Sequence, residues 1–448
     1  MNPLIVTDNS RILKSNFSDI SSLTKLVADT NLNKLEERGI FVFPKILKDS
    51  NDLERKQYVL KSSDEYYLTS NIMGFIGYKN EQLVIKSRFS QNHDYFFYYV
   101  LSKITKIPNI VNLISNFNQN DQIFNLLIFV FPIYLKQALR KGPFKKYETF
   151  NFNDYNFKGK FEISKHLSNN TPFIGKIAYS RREFSYDNHI MELIRHTIEF
   201  IKRVEHGNEI LSSLKNEIRI INELTPSFSL ADTYDIIEKN IRFQIRHSYY
   251  TEYSSLQRLC LMILLHQNHS IGFGNNMLYG ILVDGSWLWE EYINTLIDDK
   301  FYHPRNKHNS HQESSGCQWL FNNNQGLIYP DFIGRSKQNR MVADAKYKPF
   351  SNIHSDDYLQ ILAYMFRFES NIGFFLYPES NINQHSILLN LNSGVDFPPY
   401  ENTVESREIK VVKLGLKIPS SVHDFSSFRK LMQCYEEIFL NEMRFYVF

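Results

Sequence analysis

Cysteine is scarce in this sequence, and its scarcity excludes two classes of small stabilised fold. Only three cysteines occur among 448 residues, at Cys260, Cys317 and Cys434. So few and so widely spaced, they indicate neither a disulfide framework nor a paired CxxC zinc site. The chain also opens without a basic stretch followed by an apolar run, so no secretory signal is recognised. We therefore expect a reducing, cytoplasmic location.

Long apolar runs, strong charge and a phosphate-binding loop are missing as well. The most lipid-like run, residues 123–135, is too short to cross a bilayer and contains Pro132, so we expect a buried helix and no membrane partner. The net charge is only +3, so any basic surface for nucleic acid must be local. No GxxxxGK[ST] motif occurs, which predicts that the chain itself binds no nucleotide.

Changes in hydrophobic periodicity divide the chain into three predicted regions, because no repeat or Gly/Pro-rich linker marks a boundary. Residues 1–70 form a mixed N-terminal segment, and residues 71–275 form a second region of strands and helices. Residues 276–448 alternate between helix and strand. The predicted fold class is an α+β N-terminal region followed by an α/β domain with a mixed central sheet flanked by helices.

Three local patterns in the second region are strong enough to predict elements. Residues 72–89 contain two β-type runs joined by a Lys-Asn turn, which predicts a hairpin. Residues 158–167 and 175–188 read as short strands. Residues 189–204 repeat apolar side chains at intervals of three and four, which is typical of an amphipathic helix.

Charged residues interrupt two apolar runs in "GLIYPDFIGRSKQNRMVADAKYKPF", residues 326–350. Strand side chains alternate between faces, so Asp344 and Lys346 should point to the same side. The polar residues 335–340 predict a turn that returns the second run beside the first. Asp331 would then lie opposite Asp344, with a lysine beside the two acids.

Two carboxylates beside a lysine suit metal-assisted hydrolysis of a phosphodiester. Mg²⁺ prefers a few hard oxygen ligands, and Mn²⁺ is the second candidate. The metal would polarise the phosphoryl group, and Lys346 would orient the attacking water or neutralise developing charge. The non-functional alternative is an exposed hairpin whose charges are solvated. The apolar flanks disfavour it, because unpaired acids in buried strands cost free energy.

Further candidates lie on the flanking helices and on the turn. Glu290 lies in the early turns of the helix predicted after residues 281–284 and is the predicted third metal ligand, with Glu291 as its competitor. Asp284 or Ser286 is the predicted N-cap of that helix. A second helix is predicted to begin at Ser355 as N-cap. The predicted DNA-contacting residues, several of which could instead be structural or solvated, are Gln360 and Tyr364 on that second helix and Arg335, Lys337 and Arg340 on the turn.

A histidine-rich segment, residues 303–317, also raises a metal question. It contains His303, His308, His311 and Cys317, but their spacing matches no closed zinc motif. The composition is that of a loop, and we interpret it as a loop that faces DNA.

The order of these features resembles the PD-(D/E)xK nuclease superfamily. Pro330 and Asp331 supply the "PD", Asp344 and Lys346 supply the "DxK", Glu290 precedes them and Gln360 follows. More closely, the chain resembles McrC-type subunits of McrBC-like restriction systems, in the LlaJI/BsuMI-like branch. The resemblance covers most of the chain through the strings "LWEEY", "YPDFIG", "VADAKYK", "LQILAY", "NIMGFIGYKNEQLVIKSRF", "NFKGKFEISKHL", "IAYSRREFSYDN" and "LIRHTIEFI".

This resemblance implies a Mg-dependent endodeoxyribonuclease that acts on double-stranded DNA. It implies catalytic roles for Asp331, Asp344, Lys346 and Glu290, with the three acids as metal ligands. It also implies that residues 71–275 engage a McrB-like AAA+ hexamer that hydrolyses GTP or ATP. Trp289 departs from the family pattern, in which Phe is common at this position, and the change of volume should leave the metal undisturbed.

Two other functions are compatible with the same sequence. The chain could be a regulatory subunit that stimulates the motor and clamps DNA without cutting it. It could also be a standalone exonuclease of the RecB-like kind, which uses a similar helix with Gln and Tyr. All three predicted core residues are retained, which favours the endonuclease over the regulatory subunit, and the long N-terminal half counts against the exonuclease.

Overall fold

The computed structural model describes most of the chain. The described residues are 3–43, 57–79, 81–90, 94–105, 119–204, 207–245, 248–267, 278–304, 318–336, 340–381, 386–394, 405–420 and 422–447. Two compact units are present: Met1–Asn116 together with Gly274–Phe448, and Phe117–Phe273. The predicted division by role, at about residues 70 and 275, stays a prediction.

Strands occur in both units. They are β1 (Leu4–Thr7), β2 (Arg11–Leu13), β3 (Phe41–Phe43), β4 (Leu60–Ser62), β5 (Tyr66–Thr69), β6 (Ile72–Tyr78), β7 (Glu81–Lys86), β8 (Lys146–Asp154), β9 (Lys160–Phe161), β10 (Ile177–Ser185), β11 (Leu278–Asp284), β12 (Phe301–Tyr302), β13 (Gln318–Phe321), β14 (Gln325–Ile328), β15 (Phe332–Gly334), β16 (Met341–Ala345), β17 (Ile372–Glu379), β18 (Ile387–Ser393) and β19 (Glu405–Lys417).

The α-helices likewise lie in both units. They are α1 (Ser21–Val27), α2 (Leu32–Glu37), α3 (Tyr95–Thr105), α4 (Gln119–Leu139), α5 (Ile163–Asn169), α6 (His189–Arg203), α7 (Gly207–Leu211), α8 (Lys215–Leu224), α9 (Thr233–Arg242), α10 (Thr251–Gln267), α11 (Gly285–Ile297), α12 (Ser355–Arg367) and α13 (Phe425–Val447). Short 3-10 helices span Lys14–Ile20, Ser212–Leu214, Leu230–Asp232, Ser248–Tyr250 and Phe350–Asn352. None of the described helices combines the length and the hydropathy that a bilayer crossing requires.

A five-stranded mixed sheet in the first unit has the order β1-β7-β6-β11-β3. The predicted hairpin is confirmed, because β6 and β7 pair antiparallel. β6 also pairs with β11, and their backbones approach so closely that a Cβ at Gly74 would lie 2.1 Å from the carbonyl oxygen of Ile281. Glycine is required there, since φ at Gly74 is +126°. Strand β11 thus joins early chain segments to the segment that leads into α11.

A six-stranded mixed sheet in the same unit has the order β12-β15-β16-β17-β19-β18. β16, β17 and β19 run parallel, and β15 pairs antiparallel with β16. Helix α12 covers one face through a core that includes Val342, Ile361, Tyr364, Met365 and Phe375. The predicted mixture of α and β structure is confirmed.

Buried polar contacts fix helix α11 against the six-stranded sheet and against helix α13. The Nε1 of Trp289 donates to the carbonyl oxygen of Leu376 at 2.9 Å. Tyr292 Oη donates to Glu436 Oε1 at 2.7 Å, and Tyr99 Oη donates to the same oxygen at 2.7 Å. Asp284 caps the helix by accepting from the backbone N–H of Trp287 at 2.8 Å. These bonds satisfy polar groups that would otherwise be costly to bury, and they hold the helix that carries Glu290 in place.

The second unit combines a small sheet with a helical core. β8, β10 and β9 form a three-stranded antiparallel sheet in that order. The amphipathic helix predicted at residues 189–204 is confirmed as α6, which Asn188 caps and which α10 packs against. Residues 158–167, predicted as a strand, instead form the two-residue β9 followed by α5. That prediction was wrong because Ile163 and Leu167 are four residues apart, which is a helical interval.

Candidate functional site

The predicted strand pair is present and brings the two acids to one end of a hairpin. Phe332 pairs with Ala343 and Ile333 pairs with Val342 in an antiparallel register. One further step in that register places Asp331 opposite Asp344. The Oδ2 of Asp331 accepts the backbone N–H of Ala345 at 2.7 Å, which ties the residue before β15 to the end of β16.

Lys346 lies at the centre of a polar cluster just beyond β16. Its Nζ forms an ion pair with Asp344 Oδ2 at 2.6 Å, and it donates to Gln360 Oε1 at 2.8 Å. Asp357 Oδ1 lies 3.6 Å away. Burial favours the neutral amine, but the charges of Asp344, Asp331 and Asp357 outweigh burial and raise the pKa of Lys346 above its ordinary value. Lys346 therefore carries a positive charge throughout the physiological range.

Asp344 is a buried carboxylate, with only 2% of its surface exposed. Among the described residues, no backbone N–H or hydroxyl donates to its Oδ2, which contacts only the ammonium group of Lys346. A buried oxygen with so few donors is costly unless a cation is close by. Asp344 is therefore arranged to face positive charge.

Asp357 connects the cluster to the start of α12. Its Oδ2 accepts from Lys348 Nζ at 2.6 Å and from the backbone N–H of His354 at 2.8 Å. Burial opposes ionisation, but these two hydrogen bonds and the charge of Lys346 hold the pKa of Asp357 below its usual range. The N-cap of α12 is His354, so the prediction of Ser355 at that position was wrong by one residue. Asp357, three residues after His354, completes this cap, because its carboxylate accepts the backbone N–H of His354.

His303 lies between the two competing glutamates. Its Nδ1 is 3.6 Å from Glu290 Oε1, and its Nε2 is 3.6 Å from Glu291 Oε1. Nδ1 is also 2.8 Å from the carbonyl oxygen of Asp331, so the imidazole bridges α11 and the residue that precedes β15. Glu290 lines the cleft described below, in contrast to Glu291, which does not. The other predicted members of the histidine-rich segment, His308, His311 and Cys317, lie outside the described residues.

Gln360 and Tyr364 form a relay on α12. The Nε2 of Gln360 donates to Tyr364 Oη at 2.9 Å, and Tyr364 Oη donates to the carbonyl oxygen of Tyr329 at 2.9 Å. Tyr364 is 3% exposed, whereas Gln360 is exposed. The tyrosine therefore orients the amide, and the amide in turn holds Lys346.

The basic residues of the turn lie at the opposite end of the hairpin from Asp344. Arg335 donates through Nε to the carbonyl oxygens of Asp298 and Phe301, both at 3.0 Å. Arg340 is paired with Glu369. Neither arginine lines the cleft, and Lys337 lies outside the described residues.

A cleft of about 600 Å³ opens over this cluster. Asp331, Asp344, Lys346, Gln360 and Glu290 all contribute to its wall. Sequence reasoning did not assign chemistry to several other lining residues, namely Asn9, Asn71, Arg88, Ser286, Tyr347 and Lys348. Asn71 and Arg88 lie within residues 71–89, one of the strings that carry the family resemblance. That resemblance was the sequence signal that could have marked them as functional.

Arg88 links the five-stranded sheet to the segment that carries Lys346. Its Nη2 donates to the carbonyl oxygen of Tyr347 and, at 3.1 Å, to Asn71 Oδ1. The guanidinium carbon lies 4.7 Å from the centre of the Tyr347 ring. Tyr347 Oη shares a 2.7 Å hydrogen bond with Ser87 Oγ. Tyr347, the residue next to Lys346, is thus held by hydrogen bonds at its backbone carbonyl oxygen and at its side-chain hydroxyl.

The carboxylates of the cleft fit a hard divalent cation by their donor chemistry. Within the described parts of the chain, no group of three His, Cys, Asp or Glu side chains converges closely enough to form a complete metal site. Asp331 and Asp344 supply oxygens at one end of the hairpin, and Glu290 faces the same cleft. Mg²⁺ typically takes one or two carboxylates and completes its shell with water and substrate oxygens, so two or three acids suffice.

Comparison with known proteins identifies relatives of this chain. The sequence profile described as "McrBC 5-methylcytosine restriction system component" matches residues 68–378, more than half of the chain. No curated protein matches. McrC bound to McrB AAA+ hexamers of Thermococcus gammatolerans, in a half-complex of a tetradecameric assembly, aligns over 97% of this chain and 100% of that chain, with 14% identity and a TM-score of 0.46.

A cryo-EM structure of the Thermococcus gammatolerans McrBC complex aligns over 66% of this chain and 87% of that chain, with 14% identity and a TM-score of 0.31. The extent of the profile match is the finding that decides membership. The chain belongs to the family of McrBC 5-methylcytosine restriction system components.

Proposed function

We propose that this chain is the metal-dependent DNA endonuclease subunit of a McrBC-type restriction system, with a PD-(D/E)xK site and a place in the LlaJI/BsuMI-like branch. The observation that carries the proposal is the grouping of Asp331, Asp344 and Lys346 along one cleft wall. Structural stability alone does not account for that grouping, because buried charged clusters are rarely better than apolar packing. A cleft of about 600 Å³ leaves room for a scissile phosphate beside them.

The acids would hold Mg²⁺, or Mn²⁺ in its place. Asp344 and Asp331 are the proposed principal ligands, and Glu290 is the third acid that faces the same space. The bound metal would supply charge neutralisation at the phosphodiester and a lowered pKa for a water molecule. His303, placed between Glu290 and Glu291, would keep Glu290 turned towards the cleft.

Lys346 would act as a fixed positive charge. An amine whose pKa is raised cannot serve as a general base near neutral pH, because it keeps its proton. Its ammonium group can donate to a non-bridging phosphate oxygen or to the attacking water, where developing negative charge is greatest. Gln360, itself held by Tyr364, fixes the direction of that donation.

Double-stranded DNA is the proposed substrate. Gln360 is exposed and lines the cleft, so its amide can contact DNA directly. Tyr364 would act through Gln360, because it is buried. Arg335 and Arg340 are proposed to meet phosphates farther along the duplex, since they lie at the other end of the hairpin. Lys337, which lies between them in the sequence, is proposed to do the same.

The second compact unit is the proposed contact for a McrB-like AAA+ GTPase or ATPase hexamer. In this unit β9, α5 and the connecting segments on either side of them expose a group of large apolar side chains, the apolar patch, which comprises Tyr155, Phe157, Phe161, Ile163, Leu167, Phe173 and Ile174. Helix α5 has no buried residue. Contiguous apolar surface of this kind is typical of a protein-binding site. The motor is the partner that membership of this family favours.

Cleavage of closed circular DNA by the chain reconstituted with its AAA+ partner tests the nuclease. Asp344→Ala should lower the cleavage rate at least about a hundredfold, because a metal ligand and the counter-charge of Lys346 are both lost. Asp356→Ala, which removes an exposed acid from the first turn of α12, is the matched control and should cut at the wild-type rate. Nucleotide hydrolysis by the partner should persist in both variants.

The other possible outcomes separate the alternative functions. Unchanged cleavage by Asp344→Ala would show that the site is wrongly assigned. A wild-type chain that stimulates nucleotide hydrolysis but never cuts would be the regulatory subunit. Degradation of linear DNA from its ends by the chain alone would identify the exonuclease.

A further inference from the structure

A two-stranded hairpin with an uncharged surface adjoins the cleft. β13 and β14 form a separate antiparallel sheet, in which Trp319 pairs with Leu327 and Phe321 pairs with Gln325. Residues 318–330 contain no charged side chain, although 22% of the whole sequence is charged. The loop at the tip is Asn322, Asn323 and Asn324, and residues 321–327 are all exposed. The exposed surface of this hairpin therefore consists of amide and apolar side chains rather than charged ones.

The two faces of this hairpin differ in their surroundings. Ile328 packs against the core beneath α12, and Leu320 shares its face. The opposite face carries Phe321, which is 61% exposed, and Leu327, which is 41% exposed. Arg367 of α12 donates through Nε to the carbonyl oxygen of Trp319 at 2.6 Å. The hairpin is therefore anchored on one side and presents apolar and amide groups on the other.

We propose that this hairpin enters the major groove of the duplex in the cleft and reads A·T base pairs beside the cut. The proposal rests on the proposed nuclease function. The major groove is wide enough for a two-stranded β-ribbon. Asparagine and glutamine amides pair with N6 and N7 of adenine, and phenylalanine contacts the methyl group of thymine. A surface for phosphates would instead be basic, which this hairpin is not.

The reach of the hairpin limits where the contacted bases can lie. Leu327, Ile328 and Tyr329 line the cleft, so the base of the hairpin is part of its wall. The chain takes eight residue steps from Asn323 at the tip to Asp331, an extended length of at most about 27 Å. At about 3.4 Å per base pair, the contacted pairs lie within about eight of the scissile phosphate.

Mapping of cut ends on random-sequence DNA tests the proposal. The wild-type complex should cut where A·T pairs are enriched roughly fivefold at one or two positions within that distance. Phe321→Ala combined with Asn322→Ser and Asn323→Ser should lose the enrichment and keep the overall rate. Asn324 is left unchanged because its φ of +58° suits asparagine. Phe445→Ala is the matched control, since Phe445 is 80% exposed on α13 and lines no part of the cleft.

An absence of any preference in the wild type, or a preference that survives in the hairpin variant, would overturn the proposal. A wild-type chain that does not cut would refute the nuclease function, and the hairpin would then be judged by cross-linking. A photoreactive phenylalanine analogue in place of Phe321, in an Asp344→Ala chain, should cross-link to thymine or adenine in a bound duplex. The same analogue in place of Phe445 should not. Equal yields from the two positions would contradict groove binding.

Discussion

The end of strand β16 and the apolar patch of the second unit both place side chains where solvation disfavours them, in opposite senses. Asp344 is a carboxylate with 2% of its surface exposed. Phe173 and Leu167 are large apolar side chains that are 66% and 61% exposed. Each arrangement costs free energy in the isolated chain, and a binding partner can recover that cost. The comparison therefore locates two sites that need different partners, a cation with a phosphodiester at one and a protein at the other.

The largest expected effect is at the apolar patch. Leu167→Glu combined with Phe173→Glu should weaken binding of the AAA+ partner about a hundredfold, because each removes an apolar contact and adds a charge that must be desolvated. Stability of the chain should change little, since neither side chain is buried. Affinity is measured by titration of the labelled chain with the partner.

Tyr234→Glu provides the control within the same unit. Tyr234 is 55% exposed but lies on α9, outside the apolar patch. Its substitution should leave affinity unchanged. If all variants bind equally well, the partner engages another surface. The apolar patch would then not be the protein-binding counterpart of the cleft.

Asp8 allows a second comparison, between two buried acids that each face a cation. Asp8 is fully buried and accepts the backbone N–H of Arg88 at 2.5 Å. Burial raises the pKa of Asp8 from 3.8 to about 6, although the charge and the N–H of Arg88 oppose the rise. The unfolded chain ionises Asp8 at lower pH, so the folded state binds more protons between about pH 4 and pH 6. Stability should therefore fall as pH rises through this window and then level off.

Between pH 4 and pH 7, the titration of Asp8 should lower the free energy of unfolding by an amount on the order of 2 kcal/mol. Asp8→Asn should abolish this part of the pH dependence. Asp94, whose pKa burial also raises to about 6, should contribute a share of its own that Asp94→Asn removes. Urea unfolding at a series of pH values measures both. Identical slopes for the wild type and Asp8→Asn would show that Asp8 does not titrate in this window.

The smallest expected effect is the gain in stability on binding Mg²⁺, and it distinguishes Asp344 from Asp8 without any DNA. Mg²⁺ at ten times its dissociation constant should stabilise the wild-type chain by about 1.4 kcal/mol, and a chelator should reverse the gain. Asp331→Ala and Asp344→Ala should lose this stabilisation, whereas Asp8→Asn should keep it. Thermal unfolding with and without Mg²⁺ is the measurement. Equal stabilisation of Asp344→Ala and the wild type would place the metal elsewhere.

Local patterns were sufficient to predict the elements that carry the cleft. The period of two in β16 predicted that Asp344 and Lys346 share a face, and the 2.6 Å ion pair confirms their proximity. The polar turn after β15 predicted the antiparallel pairing, which is also present. Pattern reasoning failed at α5, which was predicted as strand, because its apolar side chains are exposed and no core selects between helix and strand.

The contribution of the first 90 residues to the cleft could not be predicted. Asn71 and Arg88 are distant in sequence from Asp344, and they flank strands β6 and β7 of a different sheet. The backbone carbonyl oxygen of Asn71 accepts the backbone N–H of Gly285 at 2.7 Å. A Cβ added to Gly285 would lie 2.6 Å from the Tyr347 ring. A contact of this kind depends on how two sheets pack, and no periodicity encodes it.

By itself, the sequence determined which residues alternate along each strand and which charges interrupt an apolar run, because these properties depend only on neighbours within a few residues. It thereby determined the chemistry available at the end of β16. Only the tertiary structure decided that Lys346 is held by Gln360, that Glu290 rather than Glu291 faces the cleft, and that Arg88 supports Tyr347. Those outcomes follow from long-range packing, in which burial and the pairing of polar groups are settled for the whole unit at once.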